Sequence, residues 1–402
     1  MTRTSYPAPG TSVAAATECS SPALSPFCES VFSSFARRDQ RQWGEVYVRG
    51  LLEVRGRKSI SRISTHVLGR RADQSLQQFV NQSSWEWQAV RRELAEQVVA
   101  LLRPRAWVVD EAVLPKSGRN SVAVERQFSQ TAGRVLNCQL GLTVLLAGPA
   151  GCVPVNWRLL LPRSWDKDTE RRARAGLPDH LVHRSRWEDL FDSLDEMVRG
   201  WGLPALPVVV DAAGDPTAHR LIHGLEERGL RYVVRADSAT EVGRSAQGRP
   251  ITAAQCLSLG TESGGARIRA RGDFPRPTRF LVTSPPLRPT ASPGDRRQPE
   301  GVRRGDGRPR KVVAEWVPSA TPGRRHSVWI TNLETRRPTD VFEAIALRRR
   351  AHQELERLSE ECGLRHFEGR SFRGWHHHTT LVSVASAFLR LTHGAGNPGP
   401  PV

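Results

Sequence analysis

The chain has 402 residues, with 59 Lys and Arg against 41 Asp and Glu, a formal charge of +18. That length supports a full hydrophobic core without staples, and six cysteines with no CxxC pair argue against a disulfide scaffold or a structural zinc site. No apolar run is long enough to span a membrane, and the Ser/Pro/Ala/Thr-rich first thirty residues lack the basic-then-apolar order of a secretory signal. These features predict a soluble, strongly basic protein of a reducing compartment.

Residues 1–30 read as a disordered tail, with Cys19 and Cys28 as free thiols in it, and 393–402 as a disordered end. Residues 31–105 read as helical: Val46, Leu51 and Val54, then Val90, Leu94, Val98, Val99 and Leu102, recur at helical spacings. From 106 the pattern changes to strands. Ala106 to Val109 is a short apolar run ending on Asp110-Glu111, and the runs Asn137–Leu146 and Val153–Leu161 flank a Gly/Pro turn. A helix is expected over 187–201, then a buried strand Pro207–Val210 ending on Asp211. A helix closing at Gly229 and a strand over 231–234 follow.

Three meandering strands followed by strand–helix units predict a mixed α/β sheet with helices packed on it. Residues 236–335 read as a basic β/loop insertion with strand-like runs at 312–316 and 327–330. A long helix over about 339–362 carries Ala344, Leu347, Ala351, Leu355, Leu358 and Cys362 on one face.

The positive charge is localised. Residues 31–105 carry 14 basic and 7 acidic side chains, and 266–311 carry 13 and 4, so these two stretches hold 7 + 9 = 16 of the 18 net charges. Localised basic segments are the footprint of a polyanion-binding protein, nucleic acid above all. Between them lie two acids of special interest. Asp110 and Asp211 each end a buried-type strand, and ligand sites in α/β sheets collect at the C-terminal ends of strands. If those strands are neighbours, the carboxylates repel unless a cation sits between them. Hard oxygen ligands select Mg²⁺ or Mn²⁺, and a two-metal site can drive phosphodiester chemistry. Taken singly, each Asp could equally cap a turn. The run His376-His377-His378 lacks the i, i+4 spacing of a metal pair and reads as helix-start or DNA-facing. Gly305-Asp306-Gly307 is not in a strand–loop–helix setting and suggests no nucleotide cradle.

Several local strings resemble bacterial insertion-sequence transposases with a DDE catalytic domain. Trp107-Val-Val-Asp110-Glu111, with Leu114-Pro115-Lys116-Ser-Gly118 and Ser121-Val-Ala-Val, resembles the first-aspartate region. Asn137-Cys138-Gln139-Leu-Gly141 and the stretch from Val155-Asn156-Trp157-Arg158 to Arg171-Arg172-Ala173 resemble the strands and loop that follow it. Val210-Asp211-Ala212-Ala213-Gly214-Asp215 resembles the second-aspartate strand, and His366–Ser371 with Arg373–His378 the C-terminal block.

The resemblance implies an RNase H-like core in two parts, 106–235 and 336–392, with 31–105 and the 236–335 insertion gripping DNA. It implies metal-dependent cleavage of element ends and strand transfer, with Asp110 and Asp211 as catalytic metal ligands for Mg²⁺ or Mn²⁺. It places Arg348, Arg350, Arg370, Arg373 and His376 as nucleic-acid contacts. It also implies a homo-oligomer on DNA and a cytoplasmic, nucleoid-associated location. One departure stands out. The position of the third acid, a Glu in similar transposases, falls on His352, and the Lys seven residues later on Ser359. Glu354 and Glu356 project from other sides of that helix. The same residues therefore also describe a degenerate or domesticated relative that binds DNA without cutting it; a nuclease for RNA–DNA hybrids rests on fold analogy alone.

Overall fold

A computed structural model describes residues 23–129, 132–245, 247–262, 266–270, 278–284, 310–316, 326–334 and 339–394. Most of the basic 266–311 stretch and both expected termini beyond 23 and 394 lie outside the described residues.

Five helices come first: α1 (Leu24–Val31), α2 (Arg38–Glu53), α3 (Ile60–Leu68), α4 (Asp73–Asn81) and α5 (Trp87–Leu102). They form because apolar residues recur on one face of each and because local signals end them. Ser59 caps α3 by accepting from Arg62 N, and Gly69, at φ 66°, closes it in the left-handed region that glycine tolerates. The expected tail to residue 30 is corrected at this end. Leu24, Cys28 and Val31 on α1 are buried in the main core, so Cys28 is a core thiol rather than a tail residue.

The sheet and its helices follow in the order β1 (Ala106–Pro115), β2 (Glu125–Ser129), β3 (Arg134–Gly148), β4 (Gly151–Leu160), α6 (Thr169–Ala175) and α7 (Arg186–Asp195). Next come β5 (Val208–Asp211), α8 (Ala218–Glu227), β6 (Tyr232–Ala236), β7 (Glu241–Arg244), β8 (Pro250–Thr252) and α9 (Ala253–Glu262). The chain continues through β9 (Ala266–Ala270), β10 (Thr278–Thr283), β11 (Lys311–Trp316), β12 (Ser327–Thr331), α10 (Thr339–Glu361) and α11 (Phe372–Gly394). Ten strands form one sheet in the order β2-β3-β1-β5-β6-β12-β11-β10-β9, with β4 also on β3; β7 and β8 pair separately.

The central order β4-β3-β1-β5-β6, with β1, β3 and β4 antiparallel and β5 and β6 parallel to β1, is that of an RNase H-like α/β fold. β1, β5 and β6 are near-continuous apolar runs because helices cover both of their faces. The 236–335 segment does more than insert a loop. Its strand β12 pairs with β6, and β11, β10 and β9 carry the sheet onward. β2 and the first residues of β3 form a hairpin that the polar, charged sequence over 125–136 did not announce.

The C-terminal helix α11 is the keel between sheet and N-terminal helices. Its three consecutive histidines lie about 100° apart around the helix, so each meets a different neighbour. His376 stacks on Trp87 at 4.7 Å and contacts Arg91 of α5. His377 stacks on Trp85 at 3.7 Å; its ring nitrogens lie 2.8 Å from the Val80 carbonyl and 3.1 Å from the Trp85 carbonyl, and the ring donates its one N–H to one of them. His378 meets the Tyr47 hydroxyl of α2 at 2.9 Å and the Leu364 carbonyl. Burial drives all three below the usual histidine range, His377 and His378 to about 3 and His376 well down, so the seam holds neutral rings. Beside them Arg91, fully enclosed, spends its donors on Thr380, Thr379 and the carbonyls of Trp157 and His376, and burial lowers it to about 9.

Candidate active site

The parallel ladder of β1 and β5 pairs Val108 with Val209 and Val109 with Val210. One step further along the same register, Asp110 lies beside Asp211 on the same face of the sheet. Adjacent strands are about 4.8 Å apart, so two carboxylates meet at the C-terminal ends of neighbouring strands. The helix α10 crosses that face, pressing Ala344, Leu347 and Ala351 into the sheet along with Val108, Val209 and Val233. Arg348 and His352, one turn apart on α10, therefore hang over the two acids.

His352 Nδ1 lies 2.8 Å from Asp110 Oδ2. Arg348 Nη2 lies 3.0 Å from Asp211 Oδ2, and Arg235 Nη1, from β6, lies 2.9 Å from the same oxygen. The remaining oxygens accept backbone amides: Asp110 Oδ1 from Glu111 N at 2.9 Å, and Asp211 Oδ1 from Ala213 N at 3.1 Å. Around them is a cleft of about 260 Å³, lined also by Glu111, Arg186, Val109, Val210 and Ala213. The cleft is open to solvent: the His352 side chain is 34% exposed, whereas Asp110 is 6%. The hydrogen bond to Asp110 raises the His352 pKa above the usual histidine value against partial burial and the repulsion of Arg348, so the pair favours imidazolium facing carboxylate.

The third-acid question has a geometric answer. His352 does occupy the position that faces the two aspartates. Glu354 turns to the opposite side, where Arg357 holds it at 2.7 Å together with Arg390. Glu356 is paired with Arg365 at 2.9 Å. Ser359 is buried and donates to the Leu355 carbonyl, away from the cleft. Among the described residues no group of three or more His, Cys, Asp or Glu is arranged to hold a metal ion. Asp110 and Asp211 fit a divalent cation as a pair. Three cationic side chains already crowd onto them, which shows how strongly the spot calls for positive charge.

The other expected contacts separate. Arg348 belongs to the cleft. Arg350, two residues on, lies on another side of the helix, close enough to Cys152 to act on its thiol, and does not line the cleft. Arg370 and Arg373 are exposed at the start of α11, with Arg373 donating to the Gln82 carbonyl at 3.3 Å. His376 is corrected: it is 3% exposed and sealed by Trp87 and Arg91, so it has no face to offer DNA, and none of the three histidines starts a site.

Sequence reasoning missed Arg235 and Arg186. Arg235 was findable, because the β5–β6 ladder pairs it directly with Asp211. Arg186 begins α7 far from either aspartate in sequence, and only the fold brings it to the cleft.

The motif strings around the site turn out to be its scaffold. Lys116 donates to the Phe367 carbonyl at 2.7 Å, Asn137 to the Lys116 carbonyl at 2.5 Å, and Gln139 to the Val122 carbonyl at 2.7 Å. The first of these ties the end of β1 to the C-terminal block, and the other two fasten the segment after β1 to β3. Burial lowers Lys116 to about 8. Gly141 lies under Trp375, where an added Cβ would sit 3.0 Å from the indole ring.

The sequence profile of the DDE superfamily endonuclease family matches residues 30–270. The chain belongs to that family. The match includes Asp110 and Asp211 but stops short of α10, so His352 lies on a part of the chain the match does not reach. None of the curated proteins compared with the chain matches it. DDE endonucleases act on DNA and generally use divalent metals, and no helix among the described residues is long and apolar enough to cross a membrane.

Proposed function

We propose that the protein is a transposase-type endonuclease that acts on the phosphodiesters of insertion-sequence DNA ends at the Asp110–Asp211 cleft. The observation that carries this is the parallel register that sets Asp110 beside Asp211, in the order expected of an RNase H-like fold. Asp110 and Asp211 would hold a divalent cation, which when bound supplies charge neutralisation and an activated hydroxyl or water. Arg348, Arg235 and Arg186 would draw the scissile phosphate in and balance the charge that develops on its oxygens. His352 would hold Asp110 in place and yield it when a cation arrives. Strand transfer, an origin in a bacterial insertion sequence, a cytoplasmic location and oligomerisation on DNA belong to the same proposal.

A second reading is favoured by one observation. Both acids are engaged by cationic side chains, and the third acid is absent. On that reading the chain grips DNA without cutting it. One experiment separates the two. Duplexes carrying the element's terminal sequences, taken from the DNA flanking the coding region, are incubated with the full chain in Mn²⁺ or Mg²⁺. Cleavage stronger in Mn²⁺ and abolished by Asp110→Asn supports the nuclease. Binding without cleavage in either ion leaves the DNA-binding reading. In both cases affinity should fall with salt, at a log–log slope of about −0.9 per phosphate contacted.

A further inference from the structure

Helices α3 and α4 are joined by a short, fastened turn. α3 ends at Leu68, Gly69 turns the chain in the left-handed region, and α4 starts at Asp73. The Ser64 hydroxyl of α3 donates to Asp73 Oδ1 at 2.6 Å and ties the two helices together. Behind them, Ile63 packs where Gly50 of α2 leaves room for it, since a Cβ at Gly50 would collide with the Ile63 side chain. Leu76, Phe79 and Val80 of α4 are buried, and His377 Nδ1 of α11 lies 2.8 Å from the Val80 carbonyl. Two helices linked by a short turn containing glycine make a frame that can present its second helix to a DNA groove.

The outer face of α4 is uncharged. At about 100° per residue, Gln74, Ser75, Gln77 and Gln78 fall on one arc opposite Leu76, Phe79 and Val80, and all four are exposed. None carries a charge, in a chain where 25% of the residues do, although the solvent face of a helix is where charge generally collects. The cations stand at the ends of the helix instead. Exposed Arg70 and Arg71 precede it, and exposed Arg373 donates to the Gln82 carbonyl just past it. Asp73, the acid of its first turn, is engaged by Ser64.

We infer that α4 is a base-reading helix: Gln74, Gln77 and Gln78 meet base edges in the major groove, while Arg70, Arg71 and Arg373 meet the phosphates beside them. The inference rests on the DNA-acting reading proposed above; α4 selects the DNA, and the Asp110–Asp211 cleft cuts it. Each glutamine amide offers a donor and an acceptor side by side, the complement of adenine N6 and N7 in the major groove. That groove is about 12 Å wide and admits one α-helix. Charge complementarity selects duplex DNA as the occupant: an uncharged, hydrogen-bonding centre between guanidinium groups matches base edges between two rows of phosphates. A partner protein would lack its usual anchor here, because α4 exposes no large apolar side chain.

The test uses the full chain, a duplex of the terminal sequence taken from the DNA flanking the coding region, and a scrambled duplex of the same composition, titrated at fixed salt. The parent should prefer the terminal duplex. The triple variant Gln74→Ala, Gln77→Ala, Gln78→Ala should lower that preference on the order of 5- to 150-fold, the worth of one bidentate base contact. Its melting temperature should not fall, because alanine favours the helix and the buried face is untouched. Arg70→Ala should weaken binding to both duplexes alike and make the log–log salt slope shallower by about 0.9. A triple variant that keeps the parent's preference overturns the inference. So does a parent that binds both duplexes equally, which leaves the DNA-acting reading standing. A change in the triple variant's oligomeric mass by light scattering, with the preference intact, overturns it too and assigns the face to a second copy. A parent that binds neither duplex removes the DNA-acting reading together with the base-reading helix.

Discussion

The Asp110–Asp211 cleft and the seam under α11 both place histidine beside arginine, yet their histidines titrate in opposite directions. In the cleft, His352 is half-buried and hydrogen-bonded to a carboxylate, so its proton is held more tightly than usual. In the seam, His376, His377 and His378 are enclosed among aromatic rings, carbonyls and Arg91, with no carboxylate in contact, and their protons are expelled. The difference teaches that neither residue type nor cationic company decides the charge state. What decides it is whether an anion compensates the loss of water. The cleft pairs its acids with cationic side chains; the seam is a neutral joint.

That contrast is most easily broken by acid. A seam histidine is neutral when folded and takes a proton when unfolded at its ordinary value of 6.5. Stability is therefore complete above that value and falls as the pH drops toward about 3. Three such groups give a slope of about 4 kcal/mol per pH unit. Urea melts across this range should show it, and His377→Gln should reduce the slope by about one third. An unchanged slope would mean that the seam is wet.

The next largest effect is expected in the cleft. His352→Glu supplies the missing carboxylate, so Mg²⁺ should raise the melting temperature of this variant and leave the parent's almost unmoved. At a hundredfold excess over the dissociation constant the stabilisation is about 2.7 kcal/mol. Cleavage in Mg²⁺ should rise at least about tenfold, in line with the charge stabilisation the ion supplies. A variant indifferent to Mg²⁺ would show that Asp110 and Asp211 do not converge on an ion.

Tyr47→Phe removes one hydrogen bond from the seam and should cost about 1 kcal/mol by denaturant melts, because His378 keeps its bond to Leu364. The smallest effect is that of His352→Gln. The raised pKa of His352 means that its contribution is present below the ordinary value of 6.5 and is lost as the pH rises through the folded value. Parent and variant should therefore differ in melting temperature at acidic pH and converge in alkali. Solvent at this open site keeps the difference small.

Much of the frame was legible because buried parallel strands are written as apolar runs. Ala106–Val109 and Val208–Val210 announce β1 and β5, and the acids that end them mark the cleft. The apolar face predicted for the long helix, from Ala344 to Cys362, is buried as expected. The hairpin was not legible, since its stability comes from pairing with β3 rather than from an alternating pattern. The histidine run was misread for a related reason: a polar triplet gives no sign that Trp85, Trp87 and Tyr47, about 290 to 330 residues earlier, enclose it.

The sequence alone determined which acids end the central strands and that a basic helical N-terminal region and a basic late segment lie before and after them; resemblance to the transposases put the third-acid position at His352. All of these depend on local order along the chain. Only the tertiary structure decided that His352 bonds Asp110, that Arg235 and Arg348 share Asp211, and that His376 belongs to the core instead of to DNA. The reason is physical. A charged or polar side chain takes its protonation and its partner from what surrounds it in space, and those surroundings come from strands and helices that are distant in sequence.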